Sequence, residues 1–244
     1  MASINWSFIT SSEWDIDHPA CLVNLLDNSH DILVPLQKTY VSERKGNIVL
    51  KCPAHTDFIK NMFVFYAPYD LTIEIDVNEK TGDVKINCPN LNQEQFDCLI
   101  DTRFLFDNQR GKSIYPMIGI DWLNIFQTPD SMQMQMLPAF MHYNDFTDKT
   151  TLYPGEFDIA KWTRPAEIVF ECKKLKDKIE IKKGDAIAYF KFYSDSVVKI
   201  QQQQCPWEDI KLCNTLRNKN TFRPLKERYK SLAEIKGCPY DHKR

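Results

Sequence analysis

Alternation of apolar and polar positions is the strongest signal in the chain. In "LTIEIDVNEKTGDVKINC", Leu71, Ile73, Ile75 and Val77 alternate with Thr72, Glu74 and Asp76. After a turn, Val84, Ile86 and Cys88 alternate with Lys85 and Asn87. Period two with one polar face predicts an antiparallel hairpin with one side buried. Gly82 is placed for the left-handed turn position, and Lys85 faces Glu74 or Asp76 across the pair. "IYPMIGIDWLNIF" (114–126) and "MQMQMLPAFMHY" (132–143) continue the pattern. In the second, the Met132, Met134 and Met136 stripe reads as adaptable core filling rather than as a set of sulfur ligands.

Further strands are predicted at 166–172, 178–182, 186–193 and 197–203. "IEIKKGDAIAYFKF" (179–192) reads as strand, tight turn at Gly184 and returning strand, a hairpin. Helical signals are few before residue 204. "HTDFIKNMF" (55–63) suits one or two helical turns, and "NLNQEQFDCLIDTRFLF" (90–106) fits either period. Many short strands between turn signals predict a mainly β fold of sandwich, jelly-roll or barrel type.

The chain changes character near Pro206. "PWEDIKLCNTLRNKN" and "TFRPLKERYKSLAEIKG" both read as helices, with Leu225, Tyr229, Leu232 and Ile235 on one face of the second. Pro224 suits a first turn and Gly237 a C-terminal cap. From Lys211 to Arg244 ten basic residues stand against three acidic ones. The predicted organisation is a β-sandwich domain over 1–203 and a basic helical C-terminal appendage over 204–244. The appendage is expected to pack on the sandwich or on a neighbouring subunit. It lacks the interleaved aromatics of a nucleic-acid platform, so no nucleic-acid partner is expected.

Composition narrows the functional classes. With 43% apolar and 26% charged residues, the 244-residue chain is globular rather than disordered. A formal charge of -2 gives no global pull toward nucleic acid or anionic lipid. Only 7 glycines occur, and neither GxxxxGK[ST] nor GxGxxG is present, against phosphate-cradling loops. No long apolar run predicts a membrane span. The first residues carry no basic and then apolar signal-peptide pattern, so a host-cytoplasmic or virion location is expected. Eight cysteines then read as free thiols, without a CxxC zinc pair. Four of them (Cys52, Cys88, Cys205 and Cys238) precede proline, which marks element ends.

Two chemistries have candidate residues. His55 and Asp57 have the H-x-D form of a non-haem iron site that His142 would complete, an oxygenase reading. No basic residue closely follows His142 to hold a co-substrate carboxylate; Arg164 is the nearest. The predicted capping or surface role of these histidines therefore takes precedence, and no metal or cofactor is assigned.

The second candidate rests on a resemblance. Gly155-Glu156-Phe157-Asp158, the strand Glu167–Phe170 and "KKGDAIA" (182–188) resemble the C-terminal part of the dUTP pyrophosphatase and dCTP deaminase superfamily. Those trimeric β proteins carry G-[VI]-I-D-x-D-Y followed by a Gly-Asp hairpin. The resemblance implies a dUTPase-like sandwich in which Asp158 orients a water for attack on phosphate. Lys161, Trp162 and Arg164 would then bind the nucleotide. Lys161 stands where that family has an aromatic ring, with Trp162 one residue later on the opposite strand face. The family's serine-containing phosphate motif and glycine-rich lid have no counterpart here.

More of the chain resembles uncharacterised tailed-phage proteins, through "CPAHTDFIKNMFVFYAPYDLTIEID" (52–76), "LPAFMHYND" (137–145), "YPGEFDI" (153–159) and "IEIKKGDAIAYFKFY" (179–193). The expectation is a phage-type, non-enzymatic binding or assembly module, a homo-oligomer and on the first resemblance a trimer. For aromatic residues such as Trp122, Trp162, Tyr189 and Trp207, core packing is the leading reading and a protein interface the alternative. The rival expectation is a nucleotide pyrophosphatase or deaminase relative acting on a deoxynucleoside triphosphate.

Overall fold

The structure, a computed structural model, describes residues 2–8, 32–39, 51–78, 80–81, 83–104, 116–122, 124–128, 131–161 and 165–202. The predicted appendage (204–244), Gly82, Trp162, Arg164 and Trp207 lie outside them. In chain order the strands are β1 (Ala2–Phe8), β2 (Leu33–Pro35), β3 (Met62–Tyr66), β4 (Leu71–Val77), β5 (Val84–Asn87), β6 (Ile100–Phe104), β7 (Pro116–Ile120) and β8 (Asn124–Gln127). They continue with β9 (Gln133–Pro138), β10 (Thr150–Leu152), β11 (Gly155–Asp158), β12 (Ile168–Cys172), β13 (Lys176–Ile181), β14 (Ala186–Phe192) and β15 (Val198–Gln202). Four short helices accompany them: α1 (Leu36–Thr39), α2 (Pro53–Phe58), α3 (Gln93–Leu99) and α4 (Asp145–Lys149). The described chain is therefore mainly β.

Four sheets form. The largest has the order β11-β9-β14-β3-β2, a second β10-β12-β7-β6, and two three-stranded sheets β13-β4-β5 and β15-β1-β8. Pairing is antiparallel except between β1 and β15, which run parallel with Ala2 opposite Val198. The β4–β5 hairpin forms as its alternation predicts, with Asp76 opposite Lys85 and Leu71, Ile73, Ile75 and Val77 buried. Met132, Met134 and Met136 are buried in the core. The segment with two competing periods uses both in succession. Asn92 and Gln95 make a capping box that starts α3, and the chain turns directly from Leu99 into β6.

The 179–192 segment departs from its predicted pairing. Both arms are strands, but they do not pair with each other. β13 pairs with β4, whereas β14 lies between β3 and β9. The turn carries the chain from one sheet to another, and residues 67–70 carry its partner across beside it. Gly184 donates its N–H to the Ala67 carbonyl at 2.9 Å, and Ala67 donates to Asp185 at 2.8 Å. Lys183 N–H donates to Asp70 Oδ1 at 2.7 Å. A single paired ribbon thus bends through the corner between two sheets, the arrangement by which strands serve two packed layers. Its turn has Asp185 N–H donating to Lys182 O at 2.9 Å and a positive φ of 87° at Gly184 alone. That is type II geometry, whose twist does not suit a tight hairpin.

The five-stranded sheet is apolar on both faces. Phe63, Phe65, Phe190 and Phe192 enter the main core, where Phe126 meets Phe190 and Phe192 edge-on at 4.9 and 5.6 Å. Burial of each such ring contributes about 1.5–3 kcal/mol. Met62, Val64, Ala186 and Tyr189 lie on the other face, in a second cluster with Leu36, Ile59 and Ala139.

Candidate functional site

Asp158 ends β11 and is 2% exposed. Its Oδ2 accepts from Ser131 Oγ at 2.7 Å and lies 3.2 Å from Lys161 Nζ. Its Oδ1 accepts from Ala160 N–H at 3.1 Å and Met132 N–H at 3.3 Å. A buried carboxylate requires such partners, because an isolated one is strongly disfavoured away from water. The bond to Ala160, two residues on, is the local turn that aspartate favours. The side chain therefore ties the 159–161 turn to the start of β9. Of the residues predicted for a nucleotide site, Asp158 and Lys161 come together; Trp162 and Arg164 fall outside the described residues.

His55 and Asp57 lie on α2, which begins at Pro53 after Cys52. His142 follows β9, and its Nδ1 is 2.7 Å from Tyr189 Oη. Among the described residues no three His, Cys, Asp or Glu side chains converge to hold a metal ion, so His55, Asp57 and His142 do not assemble a facial triad.

Of the aromatics weighed between core and interface, the two that lie within the described residues take the core role. Trp122 and Tyr189 are fully buried. Tyr189 instead anchors the 139–144 loop from below. Its hydroxyl accepts from Met141 N–H at 3.1 Å and bonds His142, and its ring meets Phe140 edge-on at 5.0 Å. Asn144 then caps α4 by accepting from Thr147 N–H at 2.9 Å, while its Nδ2 donates to Ala186 O at 2.8 Å. The loop is thus pinned to β14 at two points.

That pinned loop projects other aromatics outward. Phe140 is nearly half exposed and Tyr143 is 95% exposed. Both line a cleft of about 340 Å³ whose other walls include His142, Thr151 and Lys173. Phe58 of α2, also nearly half exposed, has its ring 6.1 Å from that of Phe140. Lys191 Nζ sits 4.4 Å over the Phe58 ring and 5.4 Å from the Tyr193 ring. Tyr193, again nearly half exposed, holds its hydroxyl by donation to Gln135 Oε1 at 2.8 Å. The result is a continuous aromatic ridge, Tyr193–Lys191–Phe58–Phe140, that runs into the cleft at Tyr143. Burial holds the Lys191 ammonium below the ordinary lysine range, with no carboxylate paired to it among the described residues.

Part of this ridge is visible in "AYFKFY". Period two places Tyr189, Lys191 and Tyr193 on one face and Phe190 and Phe192 on the other. Phe58 and Phe140 carry no such signal, because their exposure depends on a helix and a loop meeting across the sheet. No known protein family, curated protein or solved structure matches the chain.

Proposed function

We propose that this chain is a non-enzymatic binding or assembly module whose recognition face is the aromatic ridge and its cleft. The observation that carries the reading is the contiguous exposure of Phe58, Phe140, Tyr143 and Tyr193 around Lys191. Exposed large aromatics grouped in one place are what protein interfaces concentrate. Three of the four segments that resemble tailed-phage proteins contribute to this face. Phe58 comes from the first, Phe140 and Tyr143 from the second, and Lys191 and Tyr193 from the last. That convergence supports a phage-type origin and a role in the host cytoplasm or the virion. Saturation of the Asp158 carboxylate by Ser131, Met132, Ala160 and Lys161 supports binding over hydrolysis, since a base needs a lone pair directed at its water.

The test is direct. Incubation with each deoxynucleoside triphosphate and Mg²⁺ is expected to release neither pyrophosphate nor ammonia. Turnover that Asp158→Asn abolishes would establish the nucleotide-hydrolysing alternative instead. Homo-oligomerisation belongs to the same proposal, and light scattering across a concentration series measures it.

A further inference from the structure

The ridge combines two properties that rarely coexist without a partner. Its rings are partly open to solvent, and its central ammonium has no carboxylate partner among the described residues. Lys191 is flanked by Phe58 and Tyr193. Some described lysines meet acids, Lys149 with Asp145 and Asp177, Lys176 with Asp76, and Lys178 with Glu180, while Lys173 bonds backbone carbonyls.

We infer that the ridge docks an acidic peptide segment of a protein partner, a carboxylate meeting Lys191 while a neighbouring aromatic or aliphatic side chain covers Phe58 and Phe140. The chemistry follows from complementarity. An ammonium held over ring faces is already partly stripped of water, so an incoming carboxylate meets a lowered desolvation cost. The flanking rings supply apolar area that a free metabolite anion would leave uncovered. A segment of chain can also place a second side chain beside Tyr143 in the cleft, which opens at the far end of the same ridge.

This inference rests on the binding reading above. The probe is a random short-peptide display library selected against the folded chain, with Lys191→Gln and Phe58→Ser as counter-targets. Their fold is checked by melting curves. Selected peptides are expected to carry Asp or Glu next to Phe, Trp or Leu. They should bind Lys191→Gln about tenfold more weakly, and Lys191→Arg should restore most of the affinity. Affinity should fall with added salt. Peptides that are basic, or indifferent to Lys191, overturn the acidic-partner inference and leave the binding reading standing. A Lys191-dependent dimer in light scattering also overturns it, by making a second copy the occupant. Failure to select any peptide, with turnover of a nucleotide, removes both.

Discussion

Gly184 donates its N–H to the carbonyl of Ala67 at 2.9 Å, joining two bends that carry a paired ribbon from one sheet to the next. The bond exists because Gly184 adopts a φ of 87°. A Cβ built there meets no heavy atom within 4 Å, so substitution strains the backbone without a clash. Gly184→Ala should therefore destabilise the fold by about 1–2 kcal/mol, the left-handed penalty of an L-residue. Gly184→Asn should cost less, since asparagine tolerates that region. Urea denaturation of the two variants decides; an alanine variant as stable as the parent would contradict the turn geometry.

Asp158 and Lys161 make an unequal pair, one 2% and the other 55% exposed. Asp158→Asn should lower stability by about 1–3 kcal/mol, because an amide turns a donor toward groups that already donate. Lys161→Ala should change it by less than about 1 kcal/mol. If chemical denaturation gives the opposite order, the carboxylate does not hold the 159–161 turn.

Burial pushes the thiols of Cys88 and Cys172 up to about 12, above the ordinary value of 9.0. Nearby acids add to it, Glu74 beside Cys88 and Asp177 with Glu171 beside Cys172. The folded state thus keeps protons that the unfolded chain loses. Stability contributed by these thiols is complete below about pH 9 and declines as pH rises toward 12. The urea midpoint should drop across that interval, and the double variant Cys88→Ala, Cys172→Ala should show a shallower drop. An unchanged slope would remove the thiols as its cause. At neutral pH, iodoacetamide should label exposed Cys52 and spare buried Cys88, Cys98 and Cys172.

Asn124 is 0% exposed, and among the described residues neither its Oδ1 nor its Nδ2 has a hydrogen-bond partner. Removing an unsatisfied buried amide relieves a desolvation cost. Asn124→Leu should leave the melting temperature unchanged or raise it. A marked drop would show that the amide holds something inside the core.

The sheets were legible because their period is local. Leu71, Ile73 and Ile75 announce their buried face through Thr72 and Glu74 without reference to anything distant. Pairing partners were not legible in the same way. The arms flanking Gly184 have equal claims on each other and on β4 and β3, and period two cannot choose between them. One clue was present: glycine as the third residue of Lys182-Lys183-Gly184-Asp185 suits a type II turn, which argues for a corner. The aromatic ridge was half readable. Tyr193 and Lys191 share a strand face with Tyr189, but only the loop folded over Tyr189 decides that it is buried and Phe140 is not. Asp158 shows the converse, since no local pattern reveals that Ser131 and Met132 will occupy its oxygens.

The parallel match of residues 2–6 with 198–202 has a consequence for biogenesis. Among the described strands, β1 cannot complete its registration until β15, the last of them in chain order, has been translated. In the interval Ile4 and Trp6, buried in the finished fold, lack the cover that β15 supplies, although β8 is already available to pair. Closure of this distant seam is expected to be the slow event in maturation, as nonlocal strand pairing generally is.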